Sequence, residues 1–406
     1  AIGLALDADS PITAAQVMRR LYFQLGLQGK TTEARDVLDE AIDLLEAQPE
    51  PGPVLSELYA CRSEAEMFAG RSQESLSWAS RALELPRSSE ITLMALHLRG
   101  NARCELGDYG GVDDLREALR LSQESDTALH IVTSYSYLVE RVGLLEGPAP
   151  ALEMNRAATE LCERRGLEHQ SMWSRTERMW LLFDAGRWDE IVETAEQLRT
   201  WSMEHGEMQV ATVADTFLAR VLRYRGDTDR AVSLITRVIP AAEEIADLQV
   251  LSPALFVGAL VAESLGDDVE AAVQLRAYHD ITVEGPSEYR EIHLPEAVRA
   301  ALRLGDRDLA GTLLDGLEVH EPRMTRALDA ARAALAESDG RFDEAADRYG
   351  TVAQHWGAWA MPFEHAHALA GLARCRRAQG RGDDAETALA EADRLFTDLG
   401  VPTDTI

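Results

Sequence analysis

The chain has 406 residues, 46% of them apolar, with 70 acidic against 40 basic side chains and a formal net charge of −30. Enough apolar surface is present to fold, while the charge repels nucleic-acid phosphates and anionic membranes, so neither is expected as a direct partner. Cys61, Cys104, Cys162 and Cys375 lie far apart with no CxxC pair, which excludes a disulfide framework and suits a reduced, cytoplasmic setting.

In chain order, the first element is "AAQVMRRLYFQLG" (14–26), which reads as a helix, followed by "GKTTEA" from Gly29. Nothing ahead of it reads as a signal peptide, and the start at Ala1 without methionine suggests a larger parent protein. The Gly-Lys-Thr run resembles a phosphate loop, and Lys30 is the only lysine. A phosphate loop needs a glycine five residues before Gly29 and a strand leading in. Gln24 stands there instead, and the lead-in is helical.

The stretch is also not unique. Similar turns follow: "GRSQES" at Gly70, "GDYGGV" at Gly107, "GPAPAL" at Gly147, "GRWDEI" at Gly186 and "GDTDRA" at Gly226. "GDDVEA" starts at Gly266, "GDRDLA" at Gly305, "GRFDEA" at Gly340 and "GRGDDA" at Gly380. The intervals are 41, 37, 40, 39, 40, 40, 39, 35 and 40 residues. Gly accepts the positive φ that follows a helix, so each glycine reads as the turn between two helices. Five residues on, most units carry a small side chain: Ala34, Ser75, Ala231, Ala271, Ala310, Ala345 and Ala385. Twelve on stands an apolar one, as at Ala41, Ala82, Leu198, Val238, Leu317, Val352 and Ala392. Positions seven apart share a helical face, so each unit is an antiparallel hairpin with one buried seam.

Each hairpin has helices of roughly 16 residues, ~25 Å long. The longest apolar window, 250–262, contains Pro253 and falls short of the ~20 residues that span a bilayer, so it reads as a buried helix. The short interval before Gly340 and a phase slip after Gly107 mark irregular units. The clearest break is "VEGPSEYREIHLPE" (283–296), with two prolines. The expected division is 1–282 (repeats one to seven), 283–296 (an irregular proline-containing connection) and 297–406 (repeats eight to ten and a C-terminal cap).

The stretches "LGDY…EALRLS" from Leu106 and "DGRFDEAADRYGTV" from Asp339 resemble tetratricopeptide repeats over about residues 10 to 398. The period near 40 exceeds that family's 34, and its closing proline is mostly absent. The longer unit looks more like the repeats in the sensor region of the maltotriose-responsive activator MalT. It also resembles the C-terminal halves of actinobacterial-type regulators with a STAND-class ATPase, some with a nucleotide cyclase domain; "ALAEADRLFTDLGVPTD" is similar to how such chains end. The resemblance implies an all-α, right-handed superhelical solenoid of about ten antiparallel helix hairpins. It also implies a regulatory sensor that binds a ligand or partner in its concave groove.

No HExxH, zinc spacing or GxSxG pattern is present, so no catalytic residue, metal or cofactor is expected of this chain. In tetratricopeptide-like folds the first helix of each hairpin lines the groove. Positions about ten and six before the turn glycine, with thirteen and three as outer members, select His97 and Asn101, then Tyr137 and Arg141. Unit five gives Trp173, Thr176 and Trp180, and unit six gives Thr216, Arg220 and Arg223. Arginine forks and aromatic faces suit anions, planar groups and peptide termini. The expected occupant is a protein, a peptide or a small anionic or aromatic ligand. Aromatics at helical spacing also serve as plain core, and the register sends Arg175 and Arg178 toward the partner helix, a costly place for charge. A sensor within a larger regulator, a free-standing peptide-binding adaptor and a helical enzyme are the three readings, in that order.

Overall fold

The computed structural model describes residues 10–28, 30–125, 127–283 and 288–402. The expected all-α fold of consecutively packed hairpins is the fold the chain has, with no strand among the described residues. Two compact units divide it, one up to Leu138 and one from Val139.

The first unit holds hairpins α1 (Pro11–Leu27) with α2 (Thr31–Glu46), α3 (Gly52–Phe68) with α4 (Ser72–Glu84), and α5 (Ser89–Glu105) with α6 (Gly111–Glu124). The next helix, α7 (Ala128–Glu146), contains the division. Within α2, Ala34, Leu38, Ala41, Ile42 and Leu45 recur at helical spacing and are all buried, which makes the seam. Helix α1 leads toward Lys30, so the strand that a phosphate loop requires is not there; Gly29 lies outside the described residues.

The second unit continues with α8 (Pro148–Arg165), α9 (Glu168–Glu177), α10 (Met179–Asp184) and α11 (Trp188–His205). Then come α12 (Met208–Tyr224) with α13 (Thr228–Ile245) and α14 (Leu248–Ser264) with α15 (Asp268–Val283). After α16 (Glu288–Glu291), α17 (Leu294–Arg303) pairs with α18 (Arg307–Thr312), α19 (Pro322–Ser338) with α20 (Phe342–Ala358), and α21 (Pro362–Ala378) with α22 (Gly382–Leu399). First helices also contact first helices of the next hairpin, as α12 does α14 and α19 does α21. Within the second unit the first helices therefore form an inner layer.

Every described turn glycine has a positive φ, from 69° at Gly70 and Gly186 to 97° at Gly147. The seven small residues five positions on are all buried, which lets paired helices approach closely. The third unit explains its phase slip. A Cβ on Gly111 would lie 2.2 Å from the Gly100 carbonyl oxygen, so two glycine backbones touch where other units use alanine. In the fifth unit the first helix breaks at Arg178 into α9 and α10. In the eighth the second helix stops at Thr312, so Leu317 falls beyond it and is only half-buried. Gly316 there, at φ 70°, ends the turn that follows. The proline-containing connection carries α16; residues 284–287 lie outside the described ones.

The second unit closes on itself. The turns of hairpins four, five and six meet the ends of hairpins nine and ten. A Cβ on Gly147 would lie 3.0 Å from the Trp359 ring, one on Gly186 2.4 Å from Pro362, and one on Gly226 3.5 Å from Pro402. Phe363 joins Phe183, Trp188 and Tyr224 in one ring cluster, with centroids 4.6–5.5 Å from its own.

Helix α13 ends on Ala246 at φ 54°, where other helices use glycine. A side chain in this left-handed region is strained. Ala246→Gly is expected to raise stability by about 0.5–1 kcal/mol, read as a shift in the urea midpoint at unchanged slope.

Candidate functional site

The inner layer of the second unit carries charges that packing alone does not require. Helix α12 presents Thr216, Arg220 and Arg223 on one face, and all three are buried. The Thr216 hydroxyl donates to the Thr212 carbonyl at 2.7 Å, one turn back. Arg220 lies over the Phe183 ring at 3.7 Å and pairs with Glu296 of α17. The Tyr224 hydroxyl donates to the same carboxylate. Arg223 donates to the Leu260 carbonyl at 3.3 Å and to Glu263 at 3.4 Å.

Two further bridges flank this one. Arg323 of α19 donates to both oxygens of Asp184 at 2.9 and 3.1 Å, and Arg299 to both oxygens of Glu364 at 2.7 and 2.8 Å. Burial pushes the Glu296 carboxyl up, but Arg220 and Tyr224 outweigh it and hold the group below its ordinary value. Burial pushes the Asp184 carboxyl up against the pull of Arg323. His293 stacks on Phe256 at 4.6 Å, and burial, with Arg220 and Arg323 close by, holds its imidazole neutral. His293 Nδ1 and Trp356 Nε1 have no hydrogen-bond partner among the described residues. Between these groups about 10 Å³ remains for the centre of a water-sized sphere, room for about one water. Around Arg220, Glu296 and Arg323 the inner face of this unit is therefore a closely packed ionic seam.

The other expected residues are placed as follows. Arg141, 1% exposed, donates to Glu321 at 2.6 Å and to Glu140 at 2.8 Å. Trp173 is half-buried and donates to Glu177 at 2.9 Å, and the Thr176 hydroxyl donates to the Met172 carbonyl at 2.9 Å. Trp180 is half-buried, its ring against Gly143 and 5.7 Å from the Arg323 guanidinium. Arg175 and Arg178 meet the partner helix α11, where Gln197 receives Arg175 at 2.8 Å and Thr194 receives Arg178 at 3.0 Å, and Arg175 also donates to Glu163 of α8 at 2.7 Å.

In the first unit, His97 is stacked on Tyr137 at 4.7 Å, and its Nε2 shares a 2.9 Å hydrogen bond with the Ser134 hydroxyl. Asn101 is buried, its amide nitrogen 3.8 Å from the Met67 sulfur and its oxygen without a partner among the described residues. The structure thus brings Arg220 together with Asp184, Glu296 and Arg323, and Trp180 with Arg323.

Sequence reasoning missed the carboxylates and the second set of arginines. The same spacing carried on to Gly266 and Gly305 selects Phe256, Glu263 and Arg299, so part of the signal was available. Glu296, Glu321 and Arg323 fall outside that spacing. An isolated Glu in the run "HLPEAVRAA" marks Glu296, and no comparable signal marks Glu321 or Arg323.

No protein-family model matches the chain, and no curated protein matches it in sequence. Among solved structures it is similar to the apo form of RapI, at 12% identity and TM-score 0.52, over 66% of this chain and 98% of that one. A Rap protein complexed with competence and sporulation factor aligns over 96% and 99% at 11% identity, TM-score 0.47. Human IFIT1 with m7Gppp-AAAA aligns over 94% and 90% at 14% identity, TM-score 0.47. The fold is tetratricopeptide-like. Among the described residues no helix is long and apolar enough to cross a membrane, and no cluster of side chains could hold a metal ion.

Glu296→Leu alone is expected to cost about 3–5 kcal/mol, because it leaves Arg220 buried without its counter-charge. Adding Arg220→Met and Tyr224→Phe should recover most of that loss in urea unfolding, since an apolar replacement of similar volume removes the unpaired groups. Burial, with His130 nearby, holds His97 down at about 4. The stability this contributes is complete above the unfolded value of about 6.5 and is lost as pH falls toward 4. Unfolding midpoints of His97→Gln should therefore decline less than those of the natural chain between pH 6.5 and 4.

Proposed function

We propose that the chain is a non-catalytic sensor and protein-interaction module whose second unit binds a ligand or partner along its inner face. The observation that carries this is the seam of ion pairs: buried Arg220–Glu296 and Arg323–Asp184 join early and late hairpins of that unit, and half-buried Arg299–Glu364 joins two late ones beside them. Buried ion pairs are weak as stabilisers, since apolar side chains of equal volume often do as well or better. They can fix the register of packed helices, but apolar stacking alone does not require them. They do suit a surface that exchanges internal partners for external ones at little net cost. The half-buried Trp173 and Trp180 beside the seam add flat apolar area. With room for about one water, the closed form admits no peptide, so binding is coupled to opening and needs differential affinity for the open state.

The repeat length near 40 residues, and the resemblance to regulator sensor regions, support a place within a larger regulator. Opening of the second unit would there bias an attached ATPase, cyclase or DNA-binding module. A Walker motif or cyclase domain encoded upstream of Ala1 is the outcome expected of reading the gene, and an adaptor with neither is what would replace it.

The binding reading is tested by thermal melts of the chain against pools of synthetic hexapeptides. At least one pool is expected to raise the Tm of the natural chain and to leave the Arg220→Met, Tyr224→Phe, Glu296→Leu variant unmoved. No active pool, or equal shifts in both chains, would remove the inner face as the binding site.

A further inference from the structure

The eighth hairpin departs from the others in a way that points to what the inner face binds. Its second helix, α18, has 6 residues where α13 has 18. Helix α19 does not begin until Pro322. Between them, after a turn through Gly316, residues 317–321 run without regular structure, and Glu321 is extended at φ −63° and ψ 142°. Exposure alternates along the stretch: Leu317 half-buried, Glu318 exposed, Val319 half-buried, His320 exposed, Glu321 buried. That is the period of an extended peptide lying on a surface. Leu317 and Val319 pack on the hydrophobic core of the second unit. Glu321 accepts a 2.6 Å hydrogen bond from Arg141, 180 positions away in sequence on α7. Two residues on, Arg323 grips Asp184 of α10. One short segment thus sets a carboxylate and a guanidinium, either side of Pro322, onto partners of opposite charge in hairpins four and five.

We infer that residues 317–323 occupy the inner site as an internal stand-in for its ligand. The ligand is then an extended acidic peptide, two alternate apolar side chains ahead of a carboxylate that Arg141 receives. This rests on the proposed binding role and names its ligand class. Residues 317–321 are non-helical and follow the turn through Gly316, so the segment leaves and returns by opening no more than the first turn of α19, at Pro322 and Arg323. Its tether gives it an effective concentration on the order of millimolar. An external peptide must outcompete that, which keeps the unit shut until such a peptide is abundant or tightly bound.

The test uses a fluorescein-labelled synthetic peptide of residues 313–323 and the full chain carrying Leu317→Ser, Val319→Ser and Glu321→Gln. By fluorescence polarisation, the peptide is expected to bind this variant at least tenfold tighter than the natural chain. The same peptide with Glu321→Gln should bind the variant at least tenfold more weakly. Equal binding to both chains, binding to neither, or indifference to the Gln change would overturn the inference. If the triple variant loses its helical circular dichroism, Glu321→Gln alone replaces it. The direction expected is unchanged, with at least a threefold difference, and no difference overturns the inference there too. A hexapeptide pool that moves the natural chain's Tm while the 313–323 peptide binds no variant sinks the stand-in and spares the binding site. Silence from both sinks both.

Discussion

The architecture depends on one backbone constraint. A helix that must reverse within a few residues needs a left-handed residue at its end, and only glycine takes that conformation without strain. Nine described glycines, Gly70 to Gly380, do so at intervals near 40 residues. Most reversals place a small residue against the preceding helix, as Ala345 and Ala385 show by their complete burial. Close approach there sets the stacking, and stacking creates the inner layer. Where the constraint is met differently, the unit changes: paired glycine backbones at Gly100 and Gly111, or a shortened helix near Gly316.

On that inner layer, apolar packing and ion pairing have divided the work. Phe183, Trp188, Tyr224 and Phe363 form an aromatic cluster between early and late hairpins of the second unit. Beside it lie the charges. Apolar contact is indifferent to register, whereas a guanidinium meeting a carboxylate is not. The bridges from Arg220 and Arg323 therefore favour one alignment of the early and late hairpins.

The repeat, the turns and the buried seam positions were legible in the sequence because each follows from local geometry. Groove spacing also found Arg220, which lies at the centre of the ionic seam. What stayed hidden was its partner. Glu296 is 76 positions away, and nothing local says that hairpin eight folds back over hairpin six. Arg141 was found and Glu321 missed for the same reason, since they meet only after the unit has closed. Arg175 and Arg178 looked misplaced in the sequence because their polar receivers, Gln197 and Thr194, belong to a different helix. Lys30 drew attention by its rarity, yet it caps the first turn of an ordinary hairpin.

Open repeat arrays lengthen and shorten freely, since each module touches only its neighbours. The second unit has given up that freedom. With Trp359 seated on Gly147 and Pro362 on Gly186, a duplicated or deleted hairpin anywhere between them would carry the two ends past each other. Its evolution is thereby confined to point substitution, and relatives that differ in repeat number should differ ahead of Val139.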